Sequence, residues 1–475
     1  MRRATATRVP IALMLAIGVC AAASCSGPSS GSAESRAPGT ASSGATPARA
    51  GDPNTSWTSY HANDARTGAV AATSPPLTSS HIAWAANLGG AVRGQPLVVG
   101  RRIIAATESN RVVALNPVNG KVLWSRTIGA PLRNVAQAAG CGNIDPLGIT
   151  STAVADPTTN TVYVVGEIDV RGVVHHQLVG LDVSTGRIRL SVSADPPLPA
   201  GERAVHLLQR AGLAMRDGVV YVPYGGNAGD CGTYHGWVVG VNTVANKPNS
   251  VFEVAPGSQG GAIWSSGGAP AIDGRGNVFV STGNANPFPS ATPDPARYAE
   301  SVLKLSPTLR VEAQFKDRKS SGDADLGTGN PVLLPNGEVF AVGKTDIGYF
   351  LRQSDLGQVA AVPDVCGSDP DGGPAYDAST RRLFVPCRGG GIQVIDVATH
   401  RLGPLLAGAD SAPIVIGTQV WALDTGSGRL TTYDVKTLRK IQSVPVGTSV
   451  PVFTSPSTGA GLVIVGTTQG VTAFG

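Results

Sequence analysis

The sequence predicts an all-β fold, an eight-bladed β-propeller whose blades are four-stranded antiparallel sheets. The first evidence is a hairpin phrase, RVVALNPVNGKVLW at 111–124, in which two alternating strands flank a turn containing Pro117, Asn119 and Gly120. This phrase recurs at intervals of 38 to 66 residues. A repeat of about 40 residues or more, made of short strands and Gly-rich turns without a helical period, is typical of propeller blades. Composition agrees, since 15% of residues are charged and 61 are Gly.

Eight copies of the phrase define eight blades. Their central residues are Leu115, Leu181, Val241, Leu305, Leu351, Ile395, Tyr433 and Phe474. A matching pair of strands precedes each hairpin, for example at 268–284 and 372–387. Each unit therefore has four strands, A and B followed by the C–D hairpin.

We expect an N-terminal strand to close the ring. The eighth copy reaches Gly475 before a fourth strand can form, while the strand IAWAANL at 82–88 belongs to no blade. An open ring would leave two unpaired sheet edges, which invite aggregation. The strand at 82–88 is therefore predicted to complete the last blade, and the closed ring is expected to be a monomer.

Residues 1–25 resemble a lipoprotein signal peptide. Arginines precede an apolar run from Val9 to Ala23 that is short for a membrane-spanning helix. Ala22, Ala23, Ser24 and Cys25 resemble a bacterial lipobox, in which the Cys becomes the lipidated first residue. We therefore predict lipidation of Cys25 and an extracytoplasmic protein anchored to the cell membrane. The alternative is ordinary signal cleavage nearby, with Cys25 incidental.

The rest of the chain divides into a linker at 26–55 and a propeller domain at 56–475. The linker is almost wholly Ser, Gly, Ala, Pro and Thr, a composition that cannot bury enough apolar surface to order itself. Arg2, Arg3 and Arg8 supply three charges of the formal +5, so the remainder carries +2. The absence of a basic cluster argues against a nucleic-acid partner.

The four cysteines after the lipobox fit an exported protein. The blade order places Cys366 and Cys387 around the A and B strands of one blade, and Cys141 and Cys231 in loops of neighbouring blades. We therefore predict the disulfides Cys141–Cys231 and Cys366–Cys387. The alternative is a metal site, although no CxxC or HxxxH spacing exists.

One face of the ring gathers polar residues. In an up-and-down blade, the D-to-A and B-to-C loops emerge on the same face, called here the front face. We expect B-to-C loops to carry Glu167, Asn284, Lys344 and Asp424, and D-to-A loops to carry Trp264, Asp323 and Asp325. Acids, an amide, a cation and an aromatic at the mouth of a ring indicate a ligand site.

The hairpins that end at residues such as Trp124 resemble the repeat of pyrroloquinoline quinone (PQQ) dehydrogenases and of the wider PQQ-like propeller group. That group includes the lipoprotein scaffold of outer-membrane β-barrel assembly. The resemblance covers essentially everything after residue 57 and implies an eight-bladed propeller.

The resemblance also implies roles for individual residues. GEIDVRG at 166–172 is similar to the family segment whose Glu binds Ca²⁺. STGN at 281–284 is similar to the family segment whose Asn completes the Ca²⁺ coordination shell. The resemblance therefore implies that Glu167 and Asn284 are the metal ligands. GGAIW at 260–264 resembles the segment whose Trp stacks on the quinone. The remaining roles are the catalytic base, Asp325 or Asp323, and the cation that contacts the cofactor, Lys344.

Two functions follow from these observations. The first is a binding or scaffold protein of the cell envelope, with a protein or small ligand on the front face. The second is a PQQ- and Ca²⁺-dependent alcohol or sugar dehydrogenase. The chain has no Cys-Cys pair of the kind those dehydrogenases hold against the quinone and no CxxCH haem motif, which favours the first.

Overall fold

Short strands separated by tight turns form eight four-stranded antiparallel sheets, which confirms the predicted propeller. The structure is a computed structural model and describes residues 49–50, 56–72, 81–286, 297–319 and 322–475. The predicted signal peptide and lipobox lie outside the described residues, as does the predicted linker apart from a two-residue strand, Arg49–Ala50. The compact unit that contains the propeller runs from Pro47 to Gly475.

The first four blades have their strands A to D in chain order. Blade 1 contains Leu97–Val99, Arg102–Thr107, Arg111–Leu115 and Val122–Thr127. Blade 2 contains Val154–Asp156, Thr161–Val170, Val173–Asp182 and Ile188–Ser193. Blade 3 contains Ala214–Arg216, Val219–Gly226, Trp237–Asn242 and Lys247–Glu253. Blade 4 contains Ala271–Ile272, Val278–Ser281, Ser301–Leu305 and Val311–Lys316.

The other four blades complete the ring. Blade 5 contains Val332–Leu333, Glu338–Val342, Gly348–Arg352 and Gln358–Val362. Blade 6 contains Ala375–Asp377, Arg382–Cys387, Gly391–Asp396 and Arg401–Leu406. Blade 7 contains Ile414–Ile416, Gln419–Asp424, Arg429–Asp434 and Lys440–Pro445. Blade 8 contains Ser457–Gly459, Leu462–Gly466, Gly470–Phe474 and, as strand D, Ile82–Asn87.

Elements outside the blades are short. The helices are an α-helix at Val135–Ala139 and three single turns of 3₁₀-helix at Ala204–His206, Ser265–Gly267 and Leu326–Thr328. The extra strands are Arg49–Ala50, Ala69–Ala72, Leu207–Leu208, Gln259–Gly260 and Ala285–Asn286. Among the described residues, no helix has the length and apolar character needed to cross a membrane.

The repeated phrase explains the shape of the C–D hairpins. In blades 1 to 3 the C–D pairing shifts register just before the central residue of the phrase, as at Leu115 and Leu181. Such a bulge increases the local twist. The Asn or Asp that follows accepts backbone hydrogen bonds within the turn, as when Asp182 Oδ1 receives the N–H groups of Ser184 at 2.9 Å and Thr185 at 2.8 Å.

The N-terminal strand closes the ring as predicted, because Ile82–Asn87 pairs antiparallel with the last strand, Gly470–Phe474. Trp84 of this strand donates its indole N–H to the carbonyl of Pro117 at 2.7 Å, across the junction to blade 1. The ring of Trp84 lies where a Cβ on Gly120 would sit, at 2.5 Å, so this turn requires glycine. The closing strand therefore docks on the next blade as a regular strand D.

Residues 56–72 fill the centre of the ring, an arrangement that the sequence did not indicate. The A strands are buried while the D strands are largely exposed, so the A strands line the channel. The segment bonds to the A strands of six blades. These backbone hydrogen bonds join Trp57 to Val98, Thr58 to Ala155, Asp64 to Ile272, Ala65 to Leu333, Thr67 to Tyr376 and Gly68 to Val415.

Arg66 ties this central segment together. It is fully buried. Its Nη1 donates to the Ser59 hydroxyl and the Tyr60 carbonyl, both at 2.9 Å, and its Nε donates to the carbonyl of Pro270 at 2.8 Å. These bonds offset part of the cost of burying the guanidinium, whose Nη2 has no hydrogen-bond partner among the described residues, and they hold the segment in one conformation.

Candidate functional site

The structure brings four of the predicted site residues together at the front of the junction between blades 4 and 5. This set, Asn284, Asp323, Asp325 and Lys344, is called the acid–lysine cluster. Lys344 Nζ lies 3.0 Å from Asp323 Oδ2 and 3.4 Å from Asp325 Oδ2. The Asn284 backbone N–H donates to Asp325 Oδ1 at 2.7 Å, and its side-chain amide donates to the carbonyl of Gly322 at 3.2 Å.

The elements around the cluster explain why these side chains meet. Asn284 and Lys344 lie in the B-to-C loops of blades 4 and 5, and both acids lie in the D-to-A loop between these blades. Asp325 directly precedes the 3₁₀ turn Leu326–Thr328, and its carbonyl accepts the backbone N–H of Lys344 at 2.7 Å. The loops are therefore joined by backbone bonds as well as by charge.

The acid–lysine cluster sets two carboxylates against one ammonium group. Burial raises the pKa of Asp325, although the Asn284 N–H and the Lys344 ammonium oppose this shift. Burial lowers the pKa of Lys344, but Asp325 and Asp323 outweigh it, so that this pKa is raised. Lys344 therefore stays protonated and is shared by both carboxylates, so that neither is a free group.

Glu167 does not lie in the B-to-C loop that the sequence predicted. It is within strand Thr161–Val170 rather than in a loop, because the B–C hairpin of blade 2 continues to Val170. Its carboxylate is buried, with Oε2 at 3.6 Å from His176 Nε2. His176 Nδ1 lies 2.9 Å from Asp195 Oδ1, and its ring meets Tyr224 of blade 3 edge-on. Glu167 thus faces the junction between blades 2 and 3, whereas Asn284 lies at the junction between blades 4 and 5.

Trp264 lies in the D-to-A loop before blade 4, as predicted, and contacts a residue that the sequence did not single out. Its ring meets Phe453 edge-on, with centroids 5.5 Å apart. Two arginines lie over the Phe453 ring, with Cζ of Arg210 at 5.7 Å and Cζ of Arg388 at 6.0 Å from its centroid. Two aromatic rings and two arginine side chains therefore meet at the centre of the front face.

Asp371 connects this group to the blade 6 side of the ring. It accepts a hydrogen bond from the Ser266 hydroxyl at 3.1 Å and lies 3.1 Å from Arg388 Nε. The pocket beside it and Phe453 has a volume of about 10 Å³. That is room for a single water molecule.

The remaining predictions on the front face concern Asp424 and the disulfides. Asp424 is the last residue of strand B in blade 7 rather than a loop residue, and its carboxylate accepts the Ser427 N–H at 2.9 Å, a turn-stabilising role. Both predicted disulfides are present, with Cα atoms 5.7 Å apart for Cys141–Cys231 and 5.2 Å apart for Cys366–Cys387.

The residues that the resemblance assigns to Ca²⁺ and PQQ come from blades 2, 4 and 5 and from the loops before blades 4 and 5. Among the described residues, both carboxylate oxygens of Glu167 are buried without a hydrogen-bond partner, and the amide nitrogen of Asn284 donates to Gly322. Within the described ranges, no group of three His, Cys, Asp or Glu side chains could hold a metal ion. The assignments of Glu167, Asn284, Trp264, Lys344 and the two acids to cofactor chemistry remain predictions from the resemblance.

These features define the class of protein as a closed eight-bladed propeller with a plugged channel and charged front loops. The family model described as outer membrane protein assembly factor BamB matches residues 61–297. The chain belongs to the PQQ-like β-propeller family. No curated protein sequence matches it.

Several solved structures share this fold at low sequence identity. A europium-containing methanol dehydrogenase is 15% identical with a TM-score of 0.70, and the match covers 89% of this chain and 91% of that one. Quinohemoprotein alcohol dehydrogenase from Comamonas testosteroni is 14% identical with a TM-score of 0.67, covering 88% and 80%. BamB from Moraxella catarrhalis is 12% identical with a TM-score of 0.57, covering 83% and 99%. At these identities the likeness shows the fold alone.

Proposed function

We propose that this chain is an extracytoplasmic, lipid-anchored β-propeller that acts as a cofactor-independent binding or scaffold module of the cell envelope. Its partner, a protein or a small ligand, binds the front face. The observation that carries this proposal is the ion pairing of Lys344 with Asp323 and Asp325, which engages the residues that the resemblance assigns as cation and base with one another. The match to the model of an assembly factor gives further support.

The rigidity of the front face suits this role. The loops of the acid–lysine cluster are joined by backbone bonds, and disulfides hold the loops on blades 1, 3 and 6. A surface held in one conformation loses little conformational entropy when a partner binds. Asp323, with 77% of its side chain exposed, presents a charge to such a partner.

The test compares the front and back faces in cells. A photo-crosslinking amino acid at Asp323 is expected to give an adduct with a cell-envelope protein that persists in chelator. Val244, in the C–D turn of blade 3 on the back face, is a matched control because it is 86% exposed. An adduct lost with chelator, or equal adducts at both positions, would contradict the proposal.

The dehydrogenase alternative is tested by adding PQQ and Ca²⁺ to the purified protein. We expect no change in quinone absorbance and no reduction of an artificial electron acceptor, because the predicted base is paired with Lys344 and the sequence has no Cys-Cys pair. A saturable absorbance change that Glu167→Gln weakens would favour the dehydrogenase instead.

A further inference from the structure

A pocket of about 250 Å³ opens on the front face between blades 8 and 1. In an eight-bladed ring this is half a turn from the acid–lysine cluster. Its walls come from residues 89–93, 108–109 and 144–146 and from Thr468. The volume is slightly below the range of about 300–1,000 Å³ typical of drug-sized ligands. The pocket therefore suits a small metabolite.

The walls of this pocket are preformed. The Glu108 N–H donates to the carbonyl of Ala91 at 3.0 Å, and the Val92 N–H donates to the carbonyl of Thr467 at 2.9 Å. On the remaining wall, Asp145 Oδ2 accepts the Asn134 N–H at 3.1 Å. The four loops that line the pocket are thus fixed by the fold itself, so a ligand would not need to order them.

Arg93 supplies free hydrogen-bond donors inside this pocket. Its Nε lies 3.2 Å from Glu108 Oε1, but the geometry does not make a hydrogen bond. Within the part of the chain that the structure describes, the Nη nitrogens of Arg93 donate to no protein acceptor, and 22% of its side chain is exposed. A guanidinium held in this way can bind a carboxylate or phosphate with two parallel bonds.

Glu108 is a weak competitor for Arg93. Its Oε2 is already engaged by the Gly148 N–H at 2.9 Å and the Thr150 hydroxyl at 3.0 Å. Burial raises the pKa of Glu108 to about 7, although these two groups and the charges of Arg93 and Arg210 oppose the shift. The other acid of the pocket, Asp145, is exposed and bonded to Asn134. The pocket therefore has more free donor than acceptor capacity.

We propose that this pocket binds a small organic anion, with its carboxylate or phosphate group on Arg93 and its short carbon chain against Ile144 and Pro146. Binding draws Arg93 away from Glu108, which takes up a proton. The site is separate from the cluster at blades 4 and 5, so it does not depend on the function proposed above. Affinity for the anion increases as pH falls through about 7, because protonated Glu108 no longer attracts Arg93.

The experiment uses saturation-transfer NMR on the full-length protein, with butyrate as the probe and inorganic phosphate as the competitor. Butyrate should bind the wild type, phosphate should displace it, and butylamine, which has the same chain and the opposite charge, should not bind. Arg93→Gln should weaken butyrate binding about tenfold or more, the usual effect of losing hydrogen bonds to a charged group. Arg101→Gln, the same charge change at an exposed A–B turn on the back face, should leave it intact.

Glu108→Gln separates this proposal from a general charge effect. It keeps an acceptor for Gly148 and Thr150 but removes the competing charge, so butyrate should bind more tightly at pH 8 and with little pH dependence. Thermal melts establish that each variant is folded. Equal butyrate binding by wild type and Arg93→Gln, binding of butylamine, or an unchanged pH profile in Glu108→Gln would overturn the proposal.

Discussion

His176 shows how the ring accommodates a buried charge. It lies between the carboxylates of Asp195 and Glu167 and is fully buried. Burial lowers the pKa of His176, but the two acids outweigh it and raise the pKa to about 9. The folded protein therefore holds this imidazole in its charged form at neutral pH.

A pH dependence of stability follows from this arrangement. Because the folded pKa exceeds the ordinary value of 6.5, the stabilisation is complete below about 6.5 and is lost as pH rises through about 9. The free energy of unfolding in urea should fall by roughly 1–3 kcal/mol across that window. His176→Gln should lack this component. Parallel pH profiles for the two proteins would show that His176 is not charged in the fold.

At the residue scale, the acid–lysine cluster could be predicted from the sequence, whereas the contacts of Arg210 and Arg388 with Phe453 could not. Asn284, Asp325 and Lys344 were placed together because counting strands assigns each to a front loop. Glu167 was misplaced because the length of a B–C hairpin varies. The dipeptide Arg171–Gly172 between valines is the hairpin signal that could have shown its extension. Arg210 contacts Phe453, which lies 243 residues later in the chain, so no local pattern marks it.

At the scale of single elements, a Trp–Gly contact between neighbouring blades explains why the hairpin phrase has Gly in its turn in blades 1 and 2. Trp124 of blade 1 donates to the carbonyl of Val183 at 2.9 Å and lies against Gly186, as Trp84 lies against Gly120. The sequence showed these two Trp residues and the Gly of each of the two turns, but not that they meet in adjacent repeats. The central segment 56–72 was missed because its contacts are backbone bonds to strands far along the chain.

Ring closure can be tested with two deletions. Removing residues 26–48 should leave the melting temperature nearly unchanged, since their Ser, Gly, Ala, Pro and Thr composition predicts a linker that adds no packed core. Removing 26–90 should unfold the domain or make it aggregate, because it takes away the closing strand and the central segment and exposes the blade 8 edge. Thermal melts and size-exclusion chromatography give the comparison. Equal melting temperatures for the two proteins would contradict closure by this strand.

At the scale of the whole molecule, covalent links hold the front face and are predicted to hold the protein at the membrane. The Cys366–Cys387 bridge joins residues 21 apart and Cys141–Cys231 joins residues 90 apart. In the chain-entropy model such loops contribute roughly 3 and 4–5 kcal/mol. Both pairings were predictable because the blade order alone places each pair of cysteines in neighbouring front loops.

The predicted anchor is tested by changing one cysteine. Cys25→Ala should give a protein that no longer partitions into the detergent phase, because a covalent lipid would be its membrane attachment. Cys20→Ala, within the apolar run of the predicted signal, is the matched control and should partition like the wild type. Retention of Cys25→Ala in the detergent phase would remove the lipid anchor from the proposal.

The central segment also sets an order of events during synthesis. Tyr60 accepts a hydrogen bond from the Gly373 N–H, 313 residues later, and Ile82 pairs with Phe474. The central segment and the closing strand therefore cannot complete their contacts until the late blades have emerged from the ribosome. Closing loops of this length is slow, and contacts so distant in sequence form late. The ring consequently remains open while the chain is being made, a property that the proposed export of the protein would require.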